Sequence, residues 1–446
     1  MTASPRVVTS FAREWMQCTR ENAISGRHCL ADGRQQHVLL LLYNSEYWRS
    51  YLSAVCDCGA TLKHPTTCIS EQLYQQMADI LASEGYLAAG YERIHVDDCW
   101  MAPSRDVNGA LVADPVRFPS GMKALANYVQ ARGLKFGTYE DYGNKTCQGF
   151  PGSYGHITID AQTFAKWDSD YLKFDGCFCD DPTLYDSGYP EMALALNATG
   201  RPIAYSCEWP LYLHQHRLPI NYTRIGQYCN VFRNYDDVSS SWLSIAGIIN
   251  FYDKNQDDFI PYHGPGHWFD PDMIVAGNKG VSLDQAKVQL AIWSIWSAPL
   301  IMSNDLRDIA PQFKEILLNK RVIAVDQDPL FVMGRLTTSY VGIYVKRMTP
   351  YQLNTYSYAI ASLNRHLLTN MVAAAAVHAL SIALPIFQTV SFVLKDLGLN
   401  STSGYQIQDL WTGDIKGVFA PTDRYSAVVN ATGVDFIKAT PLNLTN

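Results

Sequence analysis

From about residue 70 the apolar positions switch repeatedly between helical and strand-like spacing. Residues 70–81 carry apolar side chains three and four apart, with Ser70 placed to cap the first turn. Residues 91–96 then form a short apolar run that ends in Asp97-Asp98-Cys99-Trp100. A helix at 121–132 precedes a strand at 134–139, and a helix at 161–167 precedes a strand at 171–174. A helix at 190–196 and a strand at 202–206 continue the series. Alternation of this kind predicts a parallel sheet, and the number of units predicts an α/β fold closed as a (β/α)8 TIM barrel. Polar residues stand where the strands finish: Asp97, Asp98, Tyr139, Lys173, Asp175, Glu208, Arg233 and Asp237. One such residue is usually a helix cap. Repetition at successive strand ends, where a barrel keeps its active site, points to chemistry instead.

Beyond about residue 336 the pattern changes. Runs at 341–346, 356–363, 390–394, 405–410 and 425–429 alternate as strands do, with Thr412-Gly413 as a turn signal. This predicts a C-terminal antiparallel β-sandwich. The chain thus divides into an atypical segment at 1–55, a barrel at 56–335 and a sandwich at 336–446. One stretch fits neither domain. Residues 371–384 are Ala-rich, broken only by His378 and Ser381, and too short to cross a bilayer comfortably. Their flanks, 358–363 and 390–394, read as two arms of one hairpin. An apolar insertion near 368–387 is therefore expected to be foreign to the fold, through gene-model error or unusual splicing. The same is expected of the N-terminal segment, which supplies no recognisable first strand.

Composition narrows the class. A chain of 446 residues is long enough for a barrel and a second domain. A net charge of −7 offers no basic stripe for nucleic acid. Ten Trp and 27 Tyr suit sugar rings, although a large core uses the same residues. Of eleven Cys, none follows Cys229, and no His cluster accompanies them at zinc spacing. Disulfides in an oxidising compartment are expected, with no metal and no cofactor, and the odd count leaves a thiol unpaired. Acceptor triplets for N-glycosylation begin at Asn144, Asn197, Asn221, Asn400, Asn430 and Asn443. Residues 1–49 lack a signal peptide, so the true start is expected to be missing.

Cleaving a glycosidic bond usually takes two carboxylates, one to attack and one to protonate the leaving oxygen. Lys173 lies two positions before Asp175, so a strand would point both to one face and the cation would hold Asp175 ionised. In Asp236-Asp237, close after Arg233, neighbouring carboxylates would raise one pKa and supply an acid.

Five motifs occur in order: Val96-Asp-Asp-Cys-Trp100, Leu172-Lys-Phe-Asp-Gly-Cys177, Ser206-Cys-Glu-Trp-Pro-Leu-Tyr212, Arg233-Asn-Tyr-Asp-Asp237 and Asp270-Pro-Asp-Met273. Together they resemble glycoside hydrolase family 27, in particular its lysosomal animal members. The resemblance implies a retaining hydrolase that removes terminal α-galactose from glycans, with Asp175 as nucleophile and Asp237 as acid/base. It implies sugar-holding roles for Asp97, Asp98, Tyr139, Cys147, Lys173, Arg233, Asp272 and Met273, with Tyr212 beside them. It also implies disulfides Cys147–Cys177 and Cys207–Cys229, and one from Cys99 to the region of Cys56 and Cys58. A homodimer in the lysosome, with no membrane insertion, completes it. The family's two animal activities differ at the sugar's 2-position. Glu208 and Leu211 leave room there only for a hydroxyl, whereas Ser and Ala would admit an N-acetyl group. α-N-acetylgalactosaminidase is thus one alternative, and an inactive glycan-binding homologue another. Four departures stand out. The family's first-strand Met-Gly-Trp has no match, Trp48 being the nearest candidate, and the spacing of Cys56 and Cys58 is unusual. Phe269 replaces an Asn, and Phe331 a Gly.

Overall fold

The computed structural model describes residues 38–42, 69–339, 342–352, 354–365 and 387–442. Eight strands form one parallel sheet: β1 (Val38–Leu42), β2 (Tyr91–Val96), β3 (Lys135–Asp141), β4 (Tyr171–Asp175), β5 (Ala204–Cys207), β6 (Val231–Arg233), β7 (Trp268–Asp270) and β8 (Leu300–Met302). Neighbours pair in sequence order from β1 to β7, and β1 also pairs with β8. The ring closes just beyond β7. The Ile274 amide donates to the Ile301 carbonyl at 2.6 Å, and the Ser303 amide donates to the Ile274 carbonyl at 3.0 Å.

The first strand corrects an expectation. Residues 38–42 pair with β2 on one side and β8 on the other, so the sheet has no open edge where β1 was thought to be missing. Strands β6, β7 and β8 have three residues each, too few for a period of two to register. Helices cover the outer face. Ser70 caps the helix Glu71–Ser83 by accepting from the Leu73 amide, as its position predicts. Ser282 and Gln285 form a reciprocal capping box at the start of the helix Leu283–Trp296.

The C-terminal domain has two antiparallel sheets. In the larger, β14 (Ile415–Phe419), β13 (Tyr405–Asp409), β16 (Val434–Pro441), β11 (Thr355–Leu363), β10 (Ile343–Gln352) and β9 (Arg335–Thr338) lie in that order. The smaller pairs β12 (Gln388–Val393) with β15 (Arg424–Val429). The expected hairpin between residues 358–363 and 390–394 is therefore wrong. Strand β11 pairs with β10 and β16, whereas β12 belongs to the facing sheet. The connection between them must cross a sandwich about 10 Å thick, which a two-residue hairpin turn cannot do. Apart from Phe387, the proposed insertion lies outside the described residues, as does most of the N-terminal segment.

The large sheet packs on both faces. Tyr344, Met348, Ala359, Ala361 and Phe436 join the core of the barrel, while Ile343, Ile360, Ile407 and Ile437 join the sandwich core with Val390 and Phe392. Alternation along one strand thus serves two domains. Lys346 of β10 is 1 % exposed and points into the barrel side. Its ammonium donates to the Ser294 carbonyl at 3.0 Å, to Ser297 Oγ at 2.5 Å and to the Val325 carbonyl at 2.5 Å. Burial pushes it down to about 8, against the pull of Asp326. These bonds satisfy carbonyls at the ends of two barrel helices, where a cation also meets the negative helix pole. Lys346→Ala should lower the unfolding free energy by about 3 kcal/mol. An unchanged denaturant midpoint would show that the ammonium carries no load between the domains.

Candidate active site

The carboxyl ends of the strands bring the expected residues together. Asp97 and Asp98 follow β2, and Tyr139 and Asp141 share one face of β3. Lys173 and Asp175 share one face of β4, Glu208 follows β5, Arg233 ends β6, and Asp272 and Met273 follow β7. All are less than a tenth exposed.

Asp175 is held by phenols. Its Oδ2 accepts from Tyr139 Oη at 2.9 Å, and its Oδ1 accepts from Tyr212 Oη at 2.6 Å and from the Gly176 amide at 2.9 Å. Lys173 does share its face, but the ammonium lies 3.1 Å from Asp97 and 3.3 Å from Glu208. Lys173 therefore bridges Asp97 and Glu208, from the ends of β2 and β5.

A second cation continues the chain. The Arg233 guanidinium lies 3.5 Å from Glu208, 3.1 Å from Asp272 and 2.7 Å from Asp237. Burial disfavours its charge, but Asp272, Glu208 and Asp237 outweigh that and raise its pKa further. Asp237 is 44 % exposed at the side chain and meets Arg233, while Asp236 points to solvent. Its close partner is thus a guanidinium.

Backbone strain accompanies these positions. Cys99 adopts φ 72° and Asp272 φ 74°, both in the left-handed region that L residues avoid. Asp272 is fixed on three sides. Its carbonyl accepts from Trp293 Nε1 at 2.7 Å, its amide donates to Asp270 Oδ1 at 2.8 Å, and its Oδ2 accepts from the Val238 amide at 2.6 Å. Asp98 accepts from the Cys99 amide at 2.6 Å and the Gln148 amide at 3.0 Å.

The disulfide Cys147–Cys177 ties the loop after β3 to the loop after β4, and puts Cys147 Sγ 3.3 Å from Asp175 Oδ2. Asp141 braces the same junction through the amides of Gly143 and Cys177, at 2.6 and 2.8 Å. Sequence reasoning passed over Asp141, although its spacing from Tyr139 put it on the same face. Asp141, Cys147, Asp175 and Cys177 offer donor atoms within 4.8 Å of one another. The two sulfurs are joined to each other, so this set presents no thiolates to a metal. The pair Cys207–Cys229 joins β5 to the approach of β6. Cys99 is disulfide-bonded, and the expected Cys56 and Cys58 lie outside the described residues. Cys179 is the free cysteine among the described residues.

Glu208 opens the helix Trp209–Gln215, placing Leu211 and Tyr212 three and four residues on, toward the same side. Glu208 and Leu211 are 2 % and 4 % exposed. Phe269 points the other way. Its ring stacks on Phe259 at 4.6 Å in the helix layer, so it does not occupy the strand-end pocket. Phe331 takes φ 52°, a conformation natural to the glycine it replaces. Trp48 lies outside the described residues.

This is the strand-end carboxylate site of a barrel glycosidase. The profile described as "Alpha galactosidase A" matches residues 46–328, and that of the "Alpha galactosidase C-terminal beta sandwich domain" matches 352–439. Alpha-galactosidase A of Homo sapiens is 54 % identical over 288 residues, 65 % of this chain and 66 % of that one. Alpha-N-acetylgalactosaminidase of Gallus gallus is 43 % identical over 393 residues, 87 % of this chain and 91 % of that one. Among solved structures, alpha-galactosidase I from Mortierella vinacea superposes with a TM-score of 0.74 at 27 % identity, covering 92 % of this chain and 99 % of that one. The chain belongs to the α-galactosidase A family, within glycoside hydrolase family 27.

Burial sets a pH dependence. It pushes Asp98 up to about 7 and Asp270 up to about 6, and it raises Asp97, Glu208 and Asp272 as well. A carboxyl raised in the folded state contributes stability that is full below its unfolded pKa near 4 and is lost as pH climbs through the folded value. Asp106, Asp168 and Asp181 are lowered by hydrogen bonds, so their contribution fades on acidification below about 4. Melting temperature should therefore be several degrees higher near pH 5 than at pH 7.5. Calorimetry across that range giving a flat or rising curve would contradict it.

Proposed function

We propose that this protein is a retaining α-galactosidase with Asp175 as nucleophile and Asp237 as acid/base. The observation that carries this is the double phenol grip on Asp175. Tyr139 donates to one of its oxygens and Tyr212 to the other, fixing the carboxylate at the strand end. A nucleophile must be oriented, ionised and free to leave its partners as its charge moves onto carbon. Neutral donors meet that need better than a salt bridge. Asp175 attacks the anomeric carbon as the glycosidic bond breaks, and Asp237 gives its proton to the leaving oxygen. Water then opens the glycosyl ester and returns a proton to Asp237, so the sugar leaves with its configuration retained. The half-exposed Asp237 can exchange protons with solvent between steps.

Asp97 and Asp98 suit two ring hydroxyls. Cys147, Lys173, Arg233, Asp272 and Met273 line the rest of the same end of the barrel. The surplus of carboxylates over Lys173 and Arg233 favours the oxocarbenium-like charge of the transition state. A lysosomal or secreted location, with assembly as a homodimer, belongs to the same reading. The raised carboxyls suit an acidic compartment, and exposed Asn144 and Asn221 and half-exposed Asn197 suit glycans. No helix among the described residues is long and apolar enough to cross a membrane.

Asp175→Ala should cut turnover by at least about three orders of magnitude while thermal unfolding stays near that of the parent. An activated fluoro-galactoside should leave its sugar on Asp175. An adduct mapped to another residue would overturn the assignment.

Glu208 and Leu211 are proposed to read the 2-position. Glu208→Ser with Leu211→Ala removes volume from that side, and the ratio of kcat/KM for N-acetylgalactosaminide over galactoside should rise at least about tenfold. No gain on the N-acetylated substrate would assign that subsite to other residues.

A further inference from the structure

An unassigned cavity lies in the C-terminal domain. It encloses about 640 Å3 between β15 on one wall and β13, β14 and β16 on the other, and shares no residue with the strand-end site. Both β14 and β15 pair on one side only among the described residues, so two free strand edges face it. Asp284, in the first turn of the helix Leu283–Trp296, stands at its rim. In a barrel of this type the helices begin on the face that carries the strand ends. One of its lining residues, Asp284, thus stands at the end of the barrel that carries the strand-end carboxylates.

Its lining combines rings with hydrogen-bonding groups of both signs. Trp411, Phe419 and Tyr425 supply the rings, with Phe419 and Tyr425 set edge to face at 5.8 Å. Tyr425 Oη donates to Asp435 Oδ1 at 3.3 Å, while Asp435 Oδ2 is buried without a hydrogen-bond partner. Lys416 lies 3.0 Å from Asp409, which occupies one of its three donors.

The charges exclude several ligands. Asp284, Asp409 and Asp435 face Lys416 and Arg424, so the cavity leans negative and repels phosphate, sulfate and nucleic acid. Its polar groups are too many for a lipid tail. What fits is a compact neutral molecule with apolar faces and a rim of hydroxyls, and a sugar ring has that form. We propose that this cavity is a second carbohydrate site, which holds roughly one or two neutral sugar rings of a glycan away from the bond being cleaved. Hydroxyls donate to Asp435 and Asp409, Lys416 donates to a ring or hydroxyl oxygen, and the aromatic rings take the C–H faces. The site would raise the local concentration of branched glycans at the barrel mouth without touching the reacting bond.

The test uses the intact protein and a photoreactive, neutral, galactose-bearing oligosaccharide. Label should map to the 405–435 region, and should persist when a galactose-configured iminosugar fills the barrel. Lys416→Ala and Asp435→Asn should each weaken that labelling about tenfold, the cost of one charge-assisted hydrogen bond. Hydrolysis of a small aryl α-galactoside should stay unchanged, while KM for a branched glycan rises. Tyr425→Phe keeps the ring and should weaken binding less, which separates lost contact from lost folding. Label confined to the barrel, or indifferent to both charge variants, would overturn the proposal. A protein inactive on galactosides that still labels at 405–435 would instead overturn the catalytic reading and leave this one standing.

Discussion

Asp97, Lys173, Glu208, Arg233 and Asp272 form an unbroken line of alternating charge across the mouth of the barrel. Isolated charges at such depth would each cost several kcal/mol, so the line is viable only as a whole. It constrains the fold as much as the chemistry, because its members come from the ends of β2, β4, β5, β6 and β7. A slip of one residue in any of these strands would turn its charged side chain into the helix layer. The large apolar surface behind the strands, with Phe174, Tyr205, Phe232 and Phe269 facing outward, fixes the register that keeps the charges aligned.

The same arithmetic explains why so many carboxyls are raised. Two buried cations cannot neutralise Asp97, Asp98, Asp175, Glu208, Asp270 and Asp272 together. Some must bind protons, and burial decides which. The oxygens of Asp175 are met by two hydroxyls and an amide.

Much of this was legible in the sequence, and the failures have physical causes. Long β/α units announced themselves through periodicity, and the motif residues at strand ends fell where a barrel puts its chemistry. The three-residue strands β6 to β8 were invisible as patterns, and β1 lies in a segment that offered no recognisable first strand. Short inner strands owe their existence to neighbours on both sides more than to their own sequence. The two electrostatic arguments from adjacency were half right. Lys173 and Asp175 do share a face, yet partners across the barrel claim the lysine. Asp237 pairs with Arg233, a partner that its spacing alone did not single out. Sequence spacing predicts which way a side chain points, whereas its partner depends on what the other strands present.

The misread hairpin carries the further lesson. Alternation marked 358–363 and 390–394 as strands, but alternation says nothing about which sheet a strand joins. Strand β11 has two buried faces, one on the barrel and one on the sandwich core, whereas β12 has one. A central strand and a facing-sheet strand cannot be arms of one two-residue turn. The sheet that contains β11 is therefore a shared wall between the domains, and Lys346 is a buried charged peg into the barrel side. Small Ala359 and Ala361 let that wall approach the barrel closely, which is why the sandwich sits against the helix Leu283–Trp296 instead of hanging from a linker. Because that helix begins at the face of the active site, the sandwich's position relative to the barrel mouth is set by packing, and it can present a surface to the same substrate that the barrel cleaves.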